Sequence, residues 1–246
     1  MSSIKIRLLT IDVESSLHYA RLVNEEPAMA TLRNFLSQDL LDSLCQFGSA
    51  TIHEAQGQTG ALNSAIKPID PVLKLAGRAL TVDARPGDNL VIHYALSKAQ
   101  PGDVLVVDAK AFVDAGPWGD ILTLAAQKAG IAGLVIDGAV RDAEAIIEMG
   151  FPVFSRGLSI KGTNKYQPGR VNVPVVCGGV LVNPGDIVVG DRDGVVAIPA
   201  DRLDAVMAAS KQRVAAEDDY RDQINAGRST IELLKLSDIL ARHEMR

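Results

Sequence analysis

Three charged residues have the types and the spacing of a small active site. Asp120 follows the glycine-rich turn of residues 116–119, and Arg141 and Asp142 follow after another 20 residues. Twenty residues are about enough for one helix out and one strand back, so two carboxylates and a guanidinium can meet at one end of a sheet. The spacing therefore predicts that these three side chains form an active site.

The elements that must position these residues are a helix and a strand. From Asp120 onward apolar residues recur at helical spacing, and Gly130 suits the end of that helix. Residues 132–136 form a short apolar run, typical of a buried strand, which ends in a predicted turn at Asp137-Gly138. A further helix is predicted over residues 143–149. Because helix N-termini attract anions, the N–H groups after the glycine-rich turn are predicted to bind one.

The same spacing resembles a known signature. The pattern Gly116-x-x-x-Asp120-x20-Arg141-Asp142 is similar to the one shared by two groups of proteins. One group is the metal-dependent pyruvate aldolases acting on 4-hydroxy-4-methyl-2-oxoglutarate and 4-carboxy-4-hydroxy-2-oxoadipate, and the other is the regulator of ribonuclease activity A. Further motifs look like the aldolase branch, and they lie at residues 51–57 (TIHEAQG), 156–163 (RGLSIKGT), 174–175 (PV) and 184–195 (PGDIVVGDRDGV).

The resemblance also implies a fold and an assembly. It implies the swivelling β/β/α type of α/β fold, an αββα sandwich, with residues 1–34 as an N-terminal extension, residues 35–199 as the core and residues 200–246 as a C-terminal helical tail. It implies a homo-oligomer, either a trimer or a dimer of trimers, with active sites between subunits. From the residues alone, strands alternate with helices up to residue 150 and consecutive strands follow, which predicts a mixed, layered α/β domain.

The resemblance implies a metal-dependent aldolase that releases pyruvate, with oxaloacetate decarboxylation as a side activity. Breaking a carbon–carbon bond next to a pyruvyl unit leaves an enolate, which needs a Lewis acid and a fixed cation. By resemblance, Asp142 is the direct ligand of Mg²⁺ or Mn²⁺, with waters and substrate oxygens completing the shell. Asp120 acts through metal-bound water, as its orienting partner or as a proton relay, and Arg141 contacts the pyruvyl oxygen.

The predicted substrate-binding residues belong to the same turn and helix. The resemblance implies that N–H groups of Gly119, Ile121 and Leu122 hold the substrate carboxylate, beside Gly116 in the same turn. Trp118 is the only tryptophan, and it either lines the pocket or packs in the core.

Several other residues have two interpretations each. Lys161 and Arg156 either bind the distal carboxylates of the substrate or are ordinary loop residues. Glu54 either closes a Thr51-x-x-Glu54 capping box or lines the pocket. Glu217 lies in a charged stretch that composition alone assigns to a solvated helix face. In the aldolase branch, however, a C-terminal helix contributes a glutamate to the neighbouring subunit's site, and Glu217 is the best match.

Local patterns predict the remaining elements. A helix is expected over residues 37–47, with Ser37 as its N-cap and Gly48 as its terminator. Strands are expected at residues 4–8, 78–84, 104–107, 152–155, 173–182, 187–189 and 195–198, and helices at residues 89–99, 201–225 and 229–243. Asp193-Gly194 has the form of a hairpin turn, and Ser229-x-x-Glu232 that of a capping box.

Pro-Gly-Asp occurs three times, at residues 86–88, 101–103 and 184–186. Proline followed by glycine is turn chemistry, so these aspartates are expected to serve turns or helix caps rather than a metal. Of the four histidines, His53 and His93 lie on predicted helices without a second ligand four residues on. The sequence therefore gives no histidine-based zinc pattern.

Composition excludes several functional classes. With a formal net charge of -5 and a pI near 5.4, the chain has no electrostatic footprint for nucleic acid or for an anionic membrane. Two widely separated cysteines, Cys45 and Cys177, argue against a disulfide scaffold and favour the reducing cytosol. No apolar run is long enough for a membrane helix or a signal peptide. We expect a soluble cytoplasmic protein.

Two functions from different classes remain. The first is the aldolase, and the second is a protein-binding regulator resembling the ribonuclease regulator. Chain length favours the enzyme, because the regulator-type relatives are compact, whereas this chain continues for about 45 residues beyond Pro199.

Overall fold

The computed structural model describes residues 36–245. Its strands are β1 (Lys67–Pro68), β2 (Leu75–Asp83), β3 (Asp103–Phe112), β4 (Gly133–Val140), β5 (Val153–Leu158), β6 (Arg170–Val171), β7 (Val175–Cys177), β8 (Val180–Val182), β9 (Ile187–Gly190) and β10 (Val195–Ile198). Its helices are α1 (Gln38–Ala55), α2 (Leu90–Leu96), α3 (Asp120–Lys128), α4 (Ala143–Glu148), α5 (Leu203–Asn225), α6 (Thr230–Leu233) and α7 (Ser237–Arg242), with a 3₁₀ turn at Ala200–Arg202. The strand predicted at residues 4–8 lies outside the described residues.

The main sheet is mixed, as predicted. Its strands run in the order β1-β5-β4-β3-β2-β9-β10, with β6 paired to the end of β2, while β7 and β8 form a separate hairpin. The four central strands β2 to β5 are parallel, and β9 pairs antiparallel with both β2 and β10. Parallel neighbours place their carboxyl ends at the same edge of the sheet, and the loops that follow β3 and β4 therefore emerge together.

Alternate residues of the strands pack into different layers. In β3, Leu105 and Val107 face a core formed with α2, α3 and α4, whereas Val104 and Val106 face a second core formed with β7 to β10. The other side of β9 and β10 packs on α1 and α5 in a third core. The layers are thus helices, sheet, sheet and helices, which confirms the αββα sandwich.

The turn predicted at Asp137-Gly138 is wrong. Both residues lie inside β4, which continues to Val140. Asp137 can be buried there because the guanidinium of Arg156 pairs with one carboxylate oxygen, while the Gly178 N–H donates to the other at 2.9 Å. These partners are distant in sequence, and a local pattern contains no sign of them.

Helix α1 is bent where the sequence predicts its end. Ser37 caps its start by accepting from the Leu40 N–H, and Gly48 has a φ of 79°. A second helical segment begins at once, because the carboxylate of Asp191 accepts from both the N–H and the hydroxyl of Ser49 at 2.7 Å. The long-range cap thus allows the helix to restart after Gly48.

The capping box predicted at Thr51 and Glu54 is wrong for the same reason. Thr51 lies inside the second segment of α1 rather than before it. The carboxylate of Glu54 is instead paired with the guanidinium of Arg213 on α5. Glu54 does not line either of the two pockets described below.

The three Pro-Gly-Asp aspartates serve turns, as predicted. Asp88 accepts from the Leu90 N–H at 2.9 Å, Asp103 from the Gln100 N–H at 2.9 Å, and Asp186 from the Asn183 N–H at 2.8 Å. Each carboxylate therefore holds the backbone of a turn or a first helical turn.

Two predicted elements are divided in the structure. Residues 173–182 form the hairpin of β7 and β8 rather than one strand. Residues 229–243 form α6 and α7 rather than one helix, although the capping box of Ser229 and Glu232 is confirmed. The hairpin turn at Asp193-Gly194 is also confirmed, since β9 and β10 pair antiparallel across it. No helix within residues 36–245 is long and apolar enough to span a membrane.

Candidate active site

The predicted active-site residues line two adjoining pockets. One has a volume of about 220 Å³ and is lined by Asn89, His93, Gly116, Pro117, Gly119, Asp120, Ile121, Leu122, Arg141 and Lys165. The other has a volume of about 340 Å³ and is lined by Arg141, Asp142, Ala143, Leu158, Ser159 and Ile160. Arg141 lines both, so its side chain lies between the two spaces.

An unusual backbone conformation brings Arg141 and Asp142 together. Asp142 has a φ of 57° and a ψ of 38°, in the left-handed region that few residues other than glycine adopt. Consecutive residues of an extended strand point to opposite faces, but here the Nε of Arg141 lies 3.3 Å from the Oδ2 of Asp142. Backbone conformations of this kind are often retained at functional sites.

The N-terminus of α3 binds carboxylates within the chain itself. The first N–H groups of a helix have no acceptor inside the helix. The Asp120 N–H donates to the Oδ2 of Asp142 at 3.3 Å, and the Ile121 N–H donates to the Oδ1 of Asp120 at 2.7 Å. The N–H groups of this turn therefore do bind carboxylate oxygens, as expected of an anion-binding helix N-terminus.

Two glycines are required by close approach rather than by backbone conformation. A Cβ on Gly119 would lie 2.3 Å from the Oδ2 of Asp142, and one on Gly116 would lie 2.5 Å from the carbonyl oxygen of Ser159. The φ of Gly119 is -153°, which any residue can adopt. These glycines therefore make room for the Arg141 and Asp142 side chains.

Trp118 packs in the core, which is the second of its two interpretations. Its side chain is fully buried and stacks on Phe151, with ring centroids 6.2 Å apart. Its Nε1 donates to the hydroxyl of Thr123 at 2.7 Å, and its carbonyl accepts from the Arg141 N–H at 2.9 Å. Trp118 thus supports the site through its backbone and does not line either pocket.

The two cations proposed for the distal carboxylates already have partners. The Nζ of Lys161 lies 2.6 Å from a carboxylate oxygen of Asp114, and Arg156 is paired with the buried Asp137. Lys161 does serve the turn, because its carbonyl accepts from the Gly116 N–H at 2.9 Å. Neither side chain lines the two pockets described above.

Three polar residues of the smaller pocket were missed by sequence reasoning: Asn89, His93 and Lys165. Asn89 joins α2 to the glycine-rich turn, because its Nδ2 donates to the carbonyl of Pro117 at 2.9 Å. His93 lies one turn along α2, and Lys165 approaches from the loop before β6. The sequence pattern tests the histidines only as zinc ligands, and nothing in the local pattern of residues 161–165 distinguishes Lys165.

Asp88 positions this part of the pocket wall. Its carboxylate accepts from the N–H groups of Tyr166 at 2.7 Å, Gln167 at 3.1 Å and Leu90 at 2.9 Å. Burial alone would raise the pKa of Asp88, but these hydrogen bonds and the nearby Lys165 hold it below its usual value. Asp88 therefore stays charged and ties the loop that carries Lys165 to the start of α2.

His93 is favoured in its neutral form. Partial burial lowers the pKa of its imidazole, and the positive charge of Lys165 lowers it further. At neutral pH the pocket that Arg141 also lines therefore contains a neutral imidazole, which can donate or accept a hydrogen bond, near the positive charge of Lys165.

Glu217 lies on α5 and does not line either pocket of its own chain. Its carboxylate is paired with two arginines of the same helix, with the Nε of Arg213 at 3.0 Å and a terminal nitrogen of Arg221 at 3.4 Å. Within one chain, α5 packs on α1, in the outer helical layer that does not carry Asp120 and Arg141.

The donor set at the site suits a metal with few protein ligands. Asp120 and Asp142 supply carboxylate oxygens, the ligand type that Mg²⁺ prefers. Mg²⁺ commonly binds through one or two carboxylates and keeps several waters, whereas structural zinc needs four ligands. The residues present therefore fit Mg²⁺ or Mn²⁺ with water and substrate as the remaining ligands.

Comparison with known proteins places the chain in context. A family model described as "RraA-like: Aldolase/RraA" matches residues 38–197, which include every pocket residue. A protein of Halalkalibacterium halodurans named "Putative 4-hydroxy-4-methyl-2-oxoglutarate aldolase" is 39% identical over 191 residues, which span 76% of this chain and 90% of that protein.

Two solved structures are similar in fold over most of the chain. Streptomyces coelicolor RraAS2, described as an unusual member of the RNase ES inhibitor RraA protein family, matches with a TM-score of 0.67 at 32% identity, covering 76% of this chain and 98% of that one. An uncharacterized protein from Pseudomonas syringae pv. tomato matches with a TM-score of 0.69 at 29% identity, covering 82% and 99%.

Proposed function

Since the chain belongs to the RraA-like (Aldolase/RraA) family, we propose that it is a divalent-metal-dependent aldolase. Its substrate is a 4-hydroxy-2-oxo di- or tricarboxylic acid of the 4-hydroxy-4-methyl-2-oxoglutarate or 4-carboxy-4-hydroxy-2-oxoadipate type, and its products are pyruvate and a second oxo acid. Oxaloacetate decarboxylation is a side activity, because both reactions pass through the pyruvate enolate. The observation that carries the proposal is the pairing of Arg141 with Asp142 at the N-terminus of α3.

Asp142 and Asp120 are the residues that would hold the metal. Asp142 is the direct ligand of Mg²⁺ or Mn²⁺, and Asp120 acts through water as an orienting partner. When bound, the metal supplies a Lewis acid that draws electron density from the 2-oxo group of the substrate.

The first turn of α3 binds the carboxylate next to the oxo group. The N–H groups of Gly119, Ile121 and Leu122 are the donors, and the helix dipole favours the negative charge. Support comes from the chain itself, in which the carboxylates of Asp142 and Asp120 already accept N–H donors of this turn.

Cleavage breaks the C3–C4 bond of the substrate. The proton of the C4 hydroxyl leaves, the C4 oxygen becomes the carbonyl of the second oxo acid, and the electron pair moves into the enolate of pyruvate. Arg141 stabilises that enolate, because a guanidinium can donate two hydrogen bonds to neighbouring oxygens. Asp120 relays protons through water, away from the hydroxyl and then to C3 of the enolate.

The wall of the smaller pocket formed by α2 and by the loop before β6 binds the distal carboxylates. Lys165 lines this wall, where its charge also acts on the nearby carboxylate of Asp88. His93 and Asn89 add hydrogen-bonding groups on the same wall. This assignment replaces Lys161 and Arg156, whose charges are paired elsewhere.

Glu217 acts in trans in this proposal. Because it lies away from the pockets of its own chain, it contributes to catalysis only if α5 reaches a site on a neighbouring subunit. The proposal therefore includes a homo-oligomer, either a trimer or a dimer of trimers. The net charge of -5 supports neither a nucleic-acid nor an anionic-membrane partner, and we propose a cytoplasmic location.

One assay tests the proposed reaction. Pyruvate release is coupled to NADH oxidation by lactate dehydrogenase, with the two 4-hydroxy-2-oxo acids and oxaloacetate as separate substrates, each with and without Mg²⁺. We expect release that requires the metal and is fastest with one of the aldol substrates. Absence of pyruvate from all three substrates at saturating Mg²⁺ would overturn the proposal.

A regulator of ribonuclease activity is the second candidate function. The observation that favours it is the similarity to Streptomyces coelicolor RraAS2. The two functions differ in which residues they need. Inhibition of an RNase ES-type ribonuclease that persists in an Asp142→Asn variant would support the regulator, whereas an aldolase loses its activity in the same variant.

A further inference from the structure

Residues 211–245 form a helical arm in which no residue is buried. In α5 only Val206 and Ser210 are buried, and both lie in its first third. The exposed part of α5, residues 211–225, has about the length at which an isolated helix is marginal in water, so the few contacts that join the arm to the core decide its direction.

One ion pair joins the arm to the core. Beyond Ser210, the side-chain hydrogen bonds and ion pairs of α5, α6 and α7 within residues 36–245 connect the arm to itself, apart from the pair of Arg213 with Glu54 on α1. The two side chains are 39% and 41% exposed, whereas those of Arg221 and Asp218 further along are 61% and 65% exposed. Ion pairs with less solvent around them are less screened.

Arg213 also holds a second carboxylate. Its Nε lies 3.0 Å from the Oε1 of Glu217, one turn further along α5, while a terminal nitrogen pairs with Glu54. The guanidinium therefore lies between an exposed carboxylate of α1 and one of the arm, and its Nε contacts Glu217 as an ion pair without an aligned hydrogen bond. A lysine could not hold both partners in the same way, because it offers a single nitrogen on a flexible stem.

We propose that Glu54 and Arg213 form the anchor that fixes the direction in which α5 leaves the core, and that Arg213 thereby also fixes the carboxylate of Glu217. Both are positioning residues. Glu54 acts on the arm from the core, and Arg213 transmits that constraint one turn along the helix. The anchor is a property of the single chain and does not depend on the chemistry of the active site.

The proposed function gives the anchor a catalytic consequence. If Glu217 acts in a neighbouring site, its carboxylate must arrive in one orientation, and a displacement of about 1 Å can slow a reaction 100-fold. This consequence rests on the proposed function, whereas the anchor itself does not.

Hydrogen–deuterium exchange of the full chain tests the anchor. Peptides covering residues 214–225 are compared in wild type, Glu54→Gln, Arg213→Gln and the double variant. Loss of one partly exposed ion pair is expected to speed exchange of these amides about two- to fivefold. Because both single variants break the same contact, the double variant should exchange no faster than Arg213→Gln.

Two control variants separate the anchor from general effects of lost charge. Asp42→Asn removes a charge from α1 whose partner is Gln38 of the same helix, and it should leave exchange in residues 214–225 unchanged. Arg221→Gln removes the other partner of Glu217 without touching α1, and it should have a smaller effect than Arg213→Gln. Glu54→Gln is the decisive variant, since it leaves the sequence of α5 intact.

The outcomes decide the proposal independently of the enzyme activity. Unchanged exchange in Glu54→Gln, or effects of the two single variants that multiply in the double variant, would overturn the anchor. If wild type releases pyruvate, Glu54→Gln should also lower kcat for aldol cleavage more than kcat for oxaloacetate decarboxylation, with KM changed less. If wild type releases none, the proposed function fails, and the exchange data still decide the anchor.

Discussion

The Oδ2 of Asp142 lies 3.3 Å from the Nε of Arg141, the residue that precedes it in the chain. Neighbours in sequence can meet in this way because the left-handed conformation of Asp142 turns the chain between β4 and α4. The same oxygen accepts from the Asp120 N–H. Three residues of the site are thus joined through one carboxylate oxygen, and changes around that oxygen give the sharpest predictions.

Gly119→Ala should damage the site and leave the fold largely intact. The new Cβ would lie 2.3 Å from the Oδ2 of Asp142 and 3.2 Å from the Nε of Arg141, so the two side chains must move. The backbone at Gly119 is extended, and alanine adopts it without strain. We expect kcat/KM for pyruvate release to fall at least about tenfold, which corresponds to about 1.4 kcal/mol, with a Tm within a few degrees of wild type.

Gly162→Ala is the matched control for this variant. Gly162 lies in the loop beside Lys161, its backbone is not in the left-handed region, and a Cβ there meets nothing within 4 Å. Its kinetics should match those of wild type. Equal activities of the two alanine variants would show that the close approach at Gly119 has no role in catalysis.

Removal of the metal should abolish turnover without unfolding the protein. With Asp142 as the direct ligand, affinity should be modest, and excess EDTA should stop pyruvate release while circular dichroism stays unchanged. Asp142→Asn keeps the shape of the side chain and removes its charge, so it should lose both Mn²⁺ binding by calorimetry and activity. Turnover that persists in excess EDTA contradicts the metal-dependent mechanism.

Arg141→Lys should lower kcat strongly even though the charge is retained. The planar guanidinium can hold an enolate oxygen and a neighbouring carboxylate together, whereas an ammonium group is a point charge. We expect a decrease in kcat of about 10- to 100-fold in steady-state kinetics. A variant with unchanged kcat and a raised KM would instead assign Arg141 to binding of the substrate in its ground state.

The elements that carry the site could be predicted, whereas several of its contacts could not. The helix that begins at Asp120 has a clear apolar period and a glycine at its end, and both are local signals. The burial of Asp137 depends on Arg156, which is 19 residues away, and the restart of α1 depends on Asp191, which is 142 residues from Ser49. Such partners meet only after the chain has folded.

Sequence reasoning missed the pocket wall of His93 and Lys165 for the same reason. The two residues are 72 positions apart in the sequence, and they meet because Asp88 binds the backbone of Tyr166 and Gln167. No spacing rule connects them. Lys161 belongs to a motif that resembles the aldolases, yet the structure places its ammonium group on Asp114.

Two buried carboxylates that share an exposed lysine should make stability depend on pH. The Nζ of Lys110 lies 2.7 Å from the Oδ1 of Asp83 and 2.5 Å from the Oδ2 of Asp108, at the ends of β2 and β3. The hydrogen bond from Lys110, aided by Arg170, holds the pKa of Asp83 below its usual value near 4 despite burial. A lowered pKa stabilises the fold above the unfolded-state value, and that contribution is lost as pH falls through the folded-state value.

Asp83→Asn should therefore be less stable than wild type at pH 7, by about 1–3 kcal/mol for a buried charged partner. The difference in free energy of unfolding between wild type and Asp83→Asn should become smaller below about pH 4, where the Asp83 carboxyl of wild type becomes protonated and loses its charge. Urea unfolding at pH 7, 5 and 3 measures the free energy of unfolding of both proteins. Asp114→Asn is the control, because that side chain is 66% exposed and its pair with Lys161 should contribute little. An equal difference in free energy of unfolding at pH 7 and pH 3 would contradict a stabilising role for the charge of Asp83.

Glu217→Ala should separate the two proposed activities. If the C-terminal helix of one subunit covers the site of another, its carboxylate helps to exclude water and to position the leaving fragment. Aldol cleavage releases a second oxo acid, whereas decarboxylation of oxaloacetate releases the smaller carbon dioxide, so cleavage should suffer more.

The expected result for Glu217→Ala is a fall in kcat for aldol cleavage of about tenfold or more, with decarboxylation changed less than about threefold, which corresponds to about 0.7 kcal/mol. The oligomer should persist in analytical ultracentrifugation.

The point variant is a cleaner test than truncation after Pro199, because Val206 of α5 is part of a buried core and its loss would also destabilise the fold. Glu217 is paired with Arg213 and Arg221 within the isolated chain, so it must exchange at least one of these partners to reach a substrate. Equal loss of both activities, or no loss, would return Glu217 to the role of a solvated helix residue that stabilises α5 through its neighbouring arginines.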